Sequence, residues 1–204
     1  MEQVTVNLGE WFEKGFRLYR GNIMTLIPAT FIALILSVTS VGILAGPMLS
    51  GMLIISLALL RCQHPKPEIF DIFKGFRFFI NAVVFVLGWG LLICAGSLIL
   101  LRIPGIGHLV VLFFIYSAQA FLMFGPFLIV DQNMDFFHAT ITSFNMVKRN
   151  FWPFLSVSAV AGVIGSIGGI AFGIGIIVTV PLQICILTVA YEAVFAETLS
   201  VNGV

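Results

Sequence analysis

The sequence predicts an all-α fold: a polytopic membrane bundle of six transmembrane helices, arranged as three hairpins, each preceded by an amphipathic interfacial helix. Three observations predict it. Of 204 residues, 60% are hydrophobic and 9% charged, with a mean hydropathy of +1.13; soluble domains carry roughly 25% charge. Apolar stretches of span length recur along the chain. Between them lie short segments with apolar residues at helical spacing. A span takes about 20 residues, so six would use roughly 120 and leave no room for a large water-soluble catalytic domain. The net charge of +1 gives no general attraction to nucleic acid, which is not expected as a partner.

The first apolar run covers Asn22 to about Leu44. Gly46-Pro47 opens a second run ending at Arg61, so Gly42 to Pro47 predicts a tight helical turn. A hydrophilic segment, Arg61 to Glu68, follows. The third run, Asn81 to Leu101, is broken by Arg102-Ile103-Pro104-Gly105, and the fourth covers about Gly107 to Val130 and stops at Asp131. Phe151 to Tyr191 is uncharged and too long for one span, so it predicts two, with the turn near Gly168, Gly169, Gly173 and Gly175. The N-terminal residues lack the basic-then-apolar order of a signal peptide, so the first span is expected to be retained. Cys62, Cys94 and Cys185 have neither paired nor metal-like spacing.

The three intervening segments are amphipathic. Leu8, Phe12, Phe16 and Tyr19 share a helical face, with Glu10–Lys14 and Glu13–Arg17 as two i,i+4 pairs elsewhere on the helix. Ile69, Ile72, Phe73, Phe76 and Phe79 form a stripe opposite Asp71, Lys74 and Arg77; Phe137, Ile141, Phe144 and Val147 form a third. Such helices either lie in the headgroup plane or pack on the end of the bundle. Gly15 to Asn22 aligns with Ser143 to Asn150, and Lys14-Gly15-Phe16-Arg17 recurs as Lys74-Gly75-Phe76-Arg77. The chain therefore reads as one membrane domain, 1–204, of three parallel repeat units at about 5–61, 67–130 and 134–198. The lipid- or interface-binding residues expected from this pattern are Trp11, Lys14, Phe16, Arg17, Arg20, Lys74, Phe76, Arg77, Phe144, Lys148 and Arg149.

This topology places every lysine and arginine except Arg102 on one side, which predicts cytoplasmic N- and C-termini. Phosphate-loop, zinc-protease and nucleophile-elbow patterns are all missing. Ala161, Gly165, Gly169 and Gly173 repeat every four residues, the small-residue spacing of close helix packing, within the bundle or between copies. His64, His108 and His138 lack metal-ligand spacing, so neither metal nor cofactor is expected. Polar residues at membrane depth are expensive. Asn81, Ser97, Tyr116, Gln119 and Gln183 are the candidates for a polar track, or else for interhelical hydrogen bonds; Ser156, Ser158 and Thr188 are further polar residues in the spans.

Trp11 to Asn22, Gly46-Pro47 with Gly51, Arg61 to Phe76, and Pro126 with Asp131 before Ser143-Phe144 give the chain a resemblance. It resembles uncharacterised bacterial six-span proteins related to the membrane domain that accompanies some glycerophosphodiester phosphodiesterases. The resemblance implies a bacterial inner-membrane location and carries over no catalytic residue.

The function expected is that of a non-enzymatic inner-membrane protein acting through lipid-facing and cytoplasmic-surface contacts, as a membrane organiser or an accessory subunit. Its partners would be membrane lipids, anionic ones foremost, with a second copy or another membrane protein beside them. A small-solute or ion transporter using the polar track is the alternative. A membrane-embedded lipid-modifying enzyme is the second, and it would need His138, Asp131 and Asp135 to converge on a lipid-sized pocket.

Overall fold

Each apolar run becomes helical. The computed structural model describes residues 7–170 and 175–201, with side-chain surroundings for 7–164 and 175–195. In chain order the elements are α1 (Leu8–Gly21), α2 (Ile23–Thr39), α3 (Ala45–Leu60), a 3-10 helix (Ile69–Phe78), α4 (Phe79–Leu100), α5 (Gly107–Leu122), α6 (Gly125–Asp131), α7 (Phe136–Arg149), α8 (Phe151–Ile170) and α9 (Ile176–Val201). There is no strand among the described residues. Along the chain α2 packs on α3, α4 on α5 and α8 on α9. Gly42 and Gly105 turn the first two of these pairs at φ +87° and +82°, a conformation that costs glycine little.

Three helical stretches are long and apolar enough to cross a membrane: Ile69–Leu100, Gly107–Asp131 and Ile176–Phe195. Together α1 and α2 make a fourth, with an 88° bend between them. Six crossings is a finer expectation than this. With 17 and 16 residues, α2 and α3 reach only about 24–26 Å by helical rise, short of a hydrocarbon core of about 30 Å. Large apolar side chains such as Met24, Leu91, Ile99 and Leu109 are exposed on the outside. Apolar exposure on this scale suits a lipid-facing surface and is consistent with a membrane protein.

The second amphipathic segment departs from expectation. Instead of a separate helix in the headgroup plane, it runs on into α4 as one long helical stretch from Ile69 to Leu100. Its first ten residues are wound at three residues per turn. The sequence explains the winding, because Ile69-Phe-Asp, Ile72-Phe-Lys and Gly75-Phe-Arg are successive triplets. A helix with three residues per turn stacks each triplet position into a straight row. A capping box between Glu68 and Asp71 starts it, the Glu68 N–H donating to Asp71 Oδ2 at 3.1 Å.

The centre of the fold is α3, ten of whose sixteen residues are buried. It touches α2, the 3-10 helix, α4, α6 and α9. Glycines permit the closest of these contacts: Gly51 lies against the Ile72 carbonyl, and Gly75 against the Pro47 carbonyl and Gly51 itself. A Cβ on Gly46 would stand 2.5 Å from the Ala82 carbonyl oxygen. Across to α9, the fully buried Ser56 and Thr188 hydroxyls are 2.8 Å apart. Thr188→Val is expected to lose about 0.6 kcal/mol, the typical value of an interhelical hydrogen bond in a membrane bundle, readable as a small drop in thermal midpoint in detergent.

Between α5 and α6 the helix breaks at Met123-Phe124, and Pro126 restarts it in the first turn, where a missing N–H does no harm. Ser143 of α7 closes the gap. Its hydroxyl donates to the Phe121 carbonyl at 2.7 Å and accepts from the Phe124 N–H at 3.3 Å, satisfying backbone groups that lipid could not.

Candidate functional site

The three amphipathic segments dock on the bundle by a shared device. On α1 the buried row is Trp11, Gly15 and Tyr19, and a Cβ on Gly15 would stand 2.7 Å from the Ile186 Cα of α9. On the 3-10 helix Ile72 and Gly75 are buried against α3. On α7 the row is Ala139, Ser143 and Val147, with Ser143 against the α5–α6 break. Gly15, Gly75 and Ser143 are the positions that the sequence alignment makes equivalent. At each, a small side chain lets the helix approach a neighbour's backbone.

The docks follow one order. The segment α1 seats on α9, the 3-10 helix on α3, and α7 on α5–α6. The small-residue rows, and not the whole expected stripes, make these docks. Of the two placements left open, Phe16, 52% exposed, takes the outward one, as do Phe137, Ile141 and Phe144, because the small-residue row takes the inner face. Trp11, expected at the lipid interface, is buried and stacks on Phe154 at 6.4 Å.

What remains outside is aromatic and basic. Phe70, Phe73 and Phe76 of the 3-10 helix and Phe79 at the start of α4 stack into a ladder with ring centroids 6.2–6.5 Å apart. Asp71, Lys74 and Arg77 form the adjacent row, with Lys74 paired to Asp71 at 2.8 Å. Lys14 and Arg17 on α1 make the two expected pairs, each 2.6 Å from Glu10 and Glu13. These pairs are well exposed, worth roughly 0.3–0.5 kcal/mol each. Arg20, Lys148 and Arg149 are exposed near the ends of α1 and α7. The bases outnumber the acids by three to two on α1 and by two to one on the 3-10 helix, and α7 has no acid at all.

The receiving helices α3, α6 and α9 meet at one end in a charged cluster. Arg61, just past α3, holds Asp131 with Nη1 and Nη2 at 2.6 and 2.9 Å and Glu192 with Nε and Nη2 at 2.8–3.2 Å. The Tyr191 hydroxyl donates to Asp131 at 2.9 Å and accepts from Gln132 at 3.4 Å. Hydrogen bonding to Asp131, more than any other effect, raises the guanidinium pKa above its ordinary value. Beneath the cluster lies an aromatic core in which Phe127 stacks on Tyr191 at 4.9 Å and Phe124 meets Phe154 edge-on at 5.4 Å. Sequence reasoning missed this clamp. Its signal was opposite charges at the ends of two apolar runs, Arg61 after the second and Asp131 after the fourth.

The three residues on which an enzyme reading depended have different partners. Asp131 is engaged by Arg61 and Tyr191, whereas His138 pairs at 2.6 Å with the exposed Asp135. The His138 hydrogen bond holds the Asp135 carboxyl below its usual range. No three His, Cys, Asp or Glu side chains converge as metal ligands among the described residues.

Part of the polar track does assemble. A cavity of about 290 Å³, open on one side, lies between α3, α4, α5, α6, α8 and α9, and Gln119 and Gln183 both line it together with Ser158 and Ala161. Tyr116 stands beside it, its ring against Gly162. Ser97 turns back to the Ile93 carbonyl of its own helix at 2.7 Å, and Asn81 is half-buried at the start of α4; neither lines the cavity. Of the small-residue series, Ala161 is fully buried and Gly165 and Gly169 lie within α8, where side-chain surroundings are not described; Gly173 is outside the described residues.

No protein family, curated protein or solved structure matches this chain.

Proposed function

We infer that this is a bacterial inner-membrane protein without a catalytic centre, which acts by gripping anionic lipid, and membrane partners, through three aromatic-basic helices on its cytoplasmic side. One observation carries the reading. At the three equivalent positions a small residue docks inward while the next residue, Phe16, Phe76 or Phe144, stays exposed beside basic side chains. Nothing in packing requires three large aromatic side chains to remain outside.

In this reading the six apolar runs cross as three hairpins, with both termini cytoplasmic. The short pair α2 and α3 crosses where the bilayer thins to meet it, at a modest cost per ångström. The 88° bend between α1 and α2 supports the placement, because a crossing α2 lays α1 along the surface. Aromatic residues favour that depth, and each basic residue near an anionic surface contributes about 1 kcal/mol. Lys14, Arg17 and Lys74 already have carboxylate neighbours, so the aromatic contribution leads. A solute carrier fits less well, since the cavity that gathers Gln119 and Gln183 has mostly apolar walls. The resemblance to membrane domains that accompany a separate soluble enzyme agrees with an accessory role.

The test is lipid retention. The protein is purified in mild detergent and its bound phospholipid is counted by native mass spectrometry. Phe16→Ser, Phe76→Ser and Phe144→Ser combined, with glutamine at Lys14, Arg17, Lys74, Arg77, Lys148 and Arg149, should at least halve the anionic lipid retained. Equal retention by the folded variant would sink the proposal.

A further inference from the structure

The cavity beside Gln119 and Gln183 has a chemistry that selects an occupant. Its walls are apolar, Leu53, Met123 and Phe127 among them. Three polar side chains reach it, and among the described residues none of them has a hydrogen-bond partner in the protein. Ser158 is only 5% exposed, and its hydroxyl has no partner among the described residues but lines the cavity; the hydroxyl that is both enclosed and unpaired is that of Ser117 on α5. An amide or hydroxyl left unpaired away from water is costly, and more so at membrane depth. Gln119 precedes Asp131 by twelve residues, so it lies roughly 18 Å along the helix from the charged end, well inside a hydrocarbon layer of about 30 Å.

We propose that this cavity binds a neutral, membrane-dissolved lipid through an oxygen that pairs with Gln119, Gln183 and Ser158. The two carboxamides donate and accept, so they suit a carbonyl or a hydroxyl equally. Among the described residues no Lys, Arg, His, Asp or Glu lines the cavity, so a carboxylate or phosphate headgroup would be buried without a counter-charge from them. A volume of about 290 Å³ is at the small end of ligand pockets. It holds the polar group and the start of a chain, and the rest of the chain leaves through the open side into the bilayer. Gly162 keeps the arrangement open, because a Cβ there would stand 3.3 Å from Gln119 Oε1 and 3.0 Å from the Tyr116 ring. The inference rests on the membrane placement but not on the aromatic-basic helices.

Binding of three probes to the purified full chain in detergent tests it: 1,2-dioctanoylglycerol for a hydroxyl, decylubiquinone for a carbonyl, and dioctanoyl phosphatidic acid as the charged counterpart with the same chains. At least one neutral probe should bind saturably, one per chain, and about tenfold or more tighter than phosphatidic acid. Gln119→Leu with Gln183→Leu keeps the volume and removes the amides. It should weaken the neutral probe by about tenfold, within the range expected for losing two hydrogen bonds, while leaving the ligand-free thermal midpoint unchanged or higher. Ser158→Ala should weaken it by about threefold and serves as the second variant if the double leucine does not fold. Phosphatidic acid binding as tightly as the neutral probes, no saturable neutral binding, or full affinity in the leucine and alanine variants would each overturn the assignment. The Phe16, Phe76 and Phe144 variants should bind the neutral probe normally, which separates this site from the surface reading.

Discussion

Arg61→Ala is expected to be the most damaging single charge change in the molecule. The guanidinium joins α3, α6 and α9 by hydrogen-bonding two carboxylates at once, and its removal leaves Asp131, held only by the Tyr191 hydroxyl, and Glu192 without their counter-charge. Breaking a fully buried ion pair from one side costs about 3–5 kcal/mol. The side chains here are 34%, 21% and 32% exposed, so solvent screening reduces the expected loss to roughly 1–3 kcal/mol. Thermal or denaturant unfolding in lipid nanodiscs measures it. Arg61→Lys should fall between wild type and alanine, because a single ammonium lacks the fork that reaches both carboxylates. The neutral triple Arg61→Met, Asp131→Asn, Glu192→Gln should be more stable than Arg61→Ala alone. An alanine variant as stable as wild type would show that the clamp holds nothing together.

The second large effect is steric. Gly51→Ala and Gly75→Ala each put a methyl group into backbone, against the Ile72 and Pro47 carbonyls, where no side chain can rotate away. Overpacking of a tight core costs about 1–3 kcal/mol, and contact with main chain puts both variants at the upper end. Leucine at either position should prevent the 3-10 helix from seating on α3, and the folded protein should not be recovered. Gly88→Ala and Gly90→Ala supply the control in α4. Nothing lies within 4 Å of the Cβ added at either, so relief of glycine's helix penalty should be neutral or gain up to about 1 kcal/mol. Equal losses at all four glycines would mean that the close approach has no energetic weight.

Helix content and the apolar runs were legible because a membrane leaves a plain compositional mark. The two ion pairs on α1 were legible for a local reason, the i,i+4 spacing of Glu10–Lys14 and Glu13–Arg17. The inner face of each amphipathic segment was not. Hydrophobic periodicity leaves Phe16 and Phe144 either in lipid or against the bundle, but a bulky ring cannot pass where helix axes come closest, and the small residue beside it can. The glycine and serine of the aligned repeat were therefore better guides to the dock than the phenylalanines. The triplet Ile-Phe-Asp, Ile-Phe-Lys, Gly-Phe-Arg was visible, yet an α-helical template folds its three rows into one stripe. Only the contact with α3 reveals which winding prevails. Gln119 and Gln183 were singled out for being polar at depth; their meeting across α5 and α9, and Ser158 with them, is a long-range fact that no local pattern holds.

The seating of α1 on α9 also sets an order of assembly. Each of the other two segments docks on a helix already made, whereas Trp11, Gly15 and Tyr19 must wait for Ile186. While the intervening helices are synthesised, α1 has no seat, and its buried row stays open to its surroundings. The contact that closes the circle is thus the one with the largest loop to close, and the helix made earliest is the last to find its place.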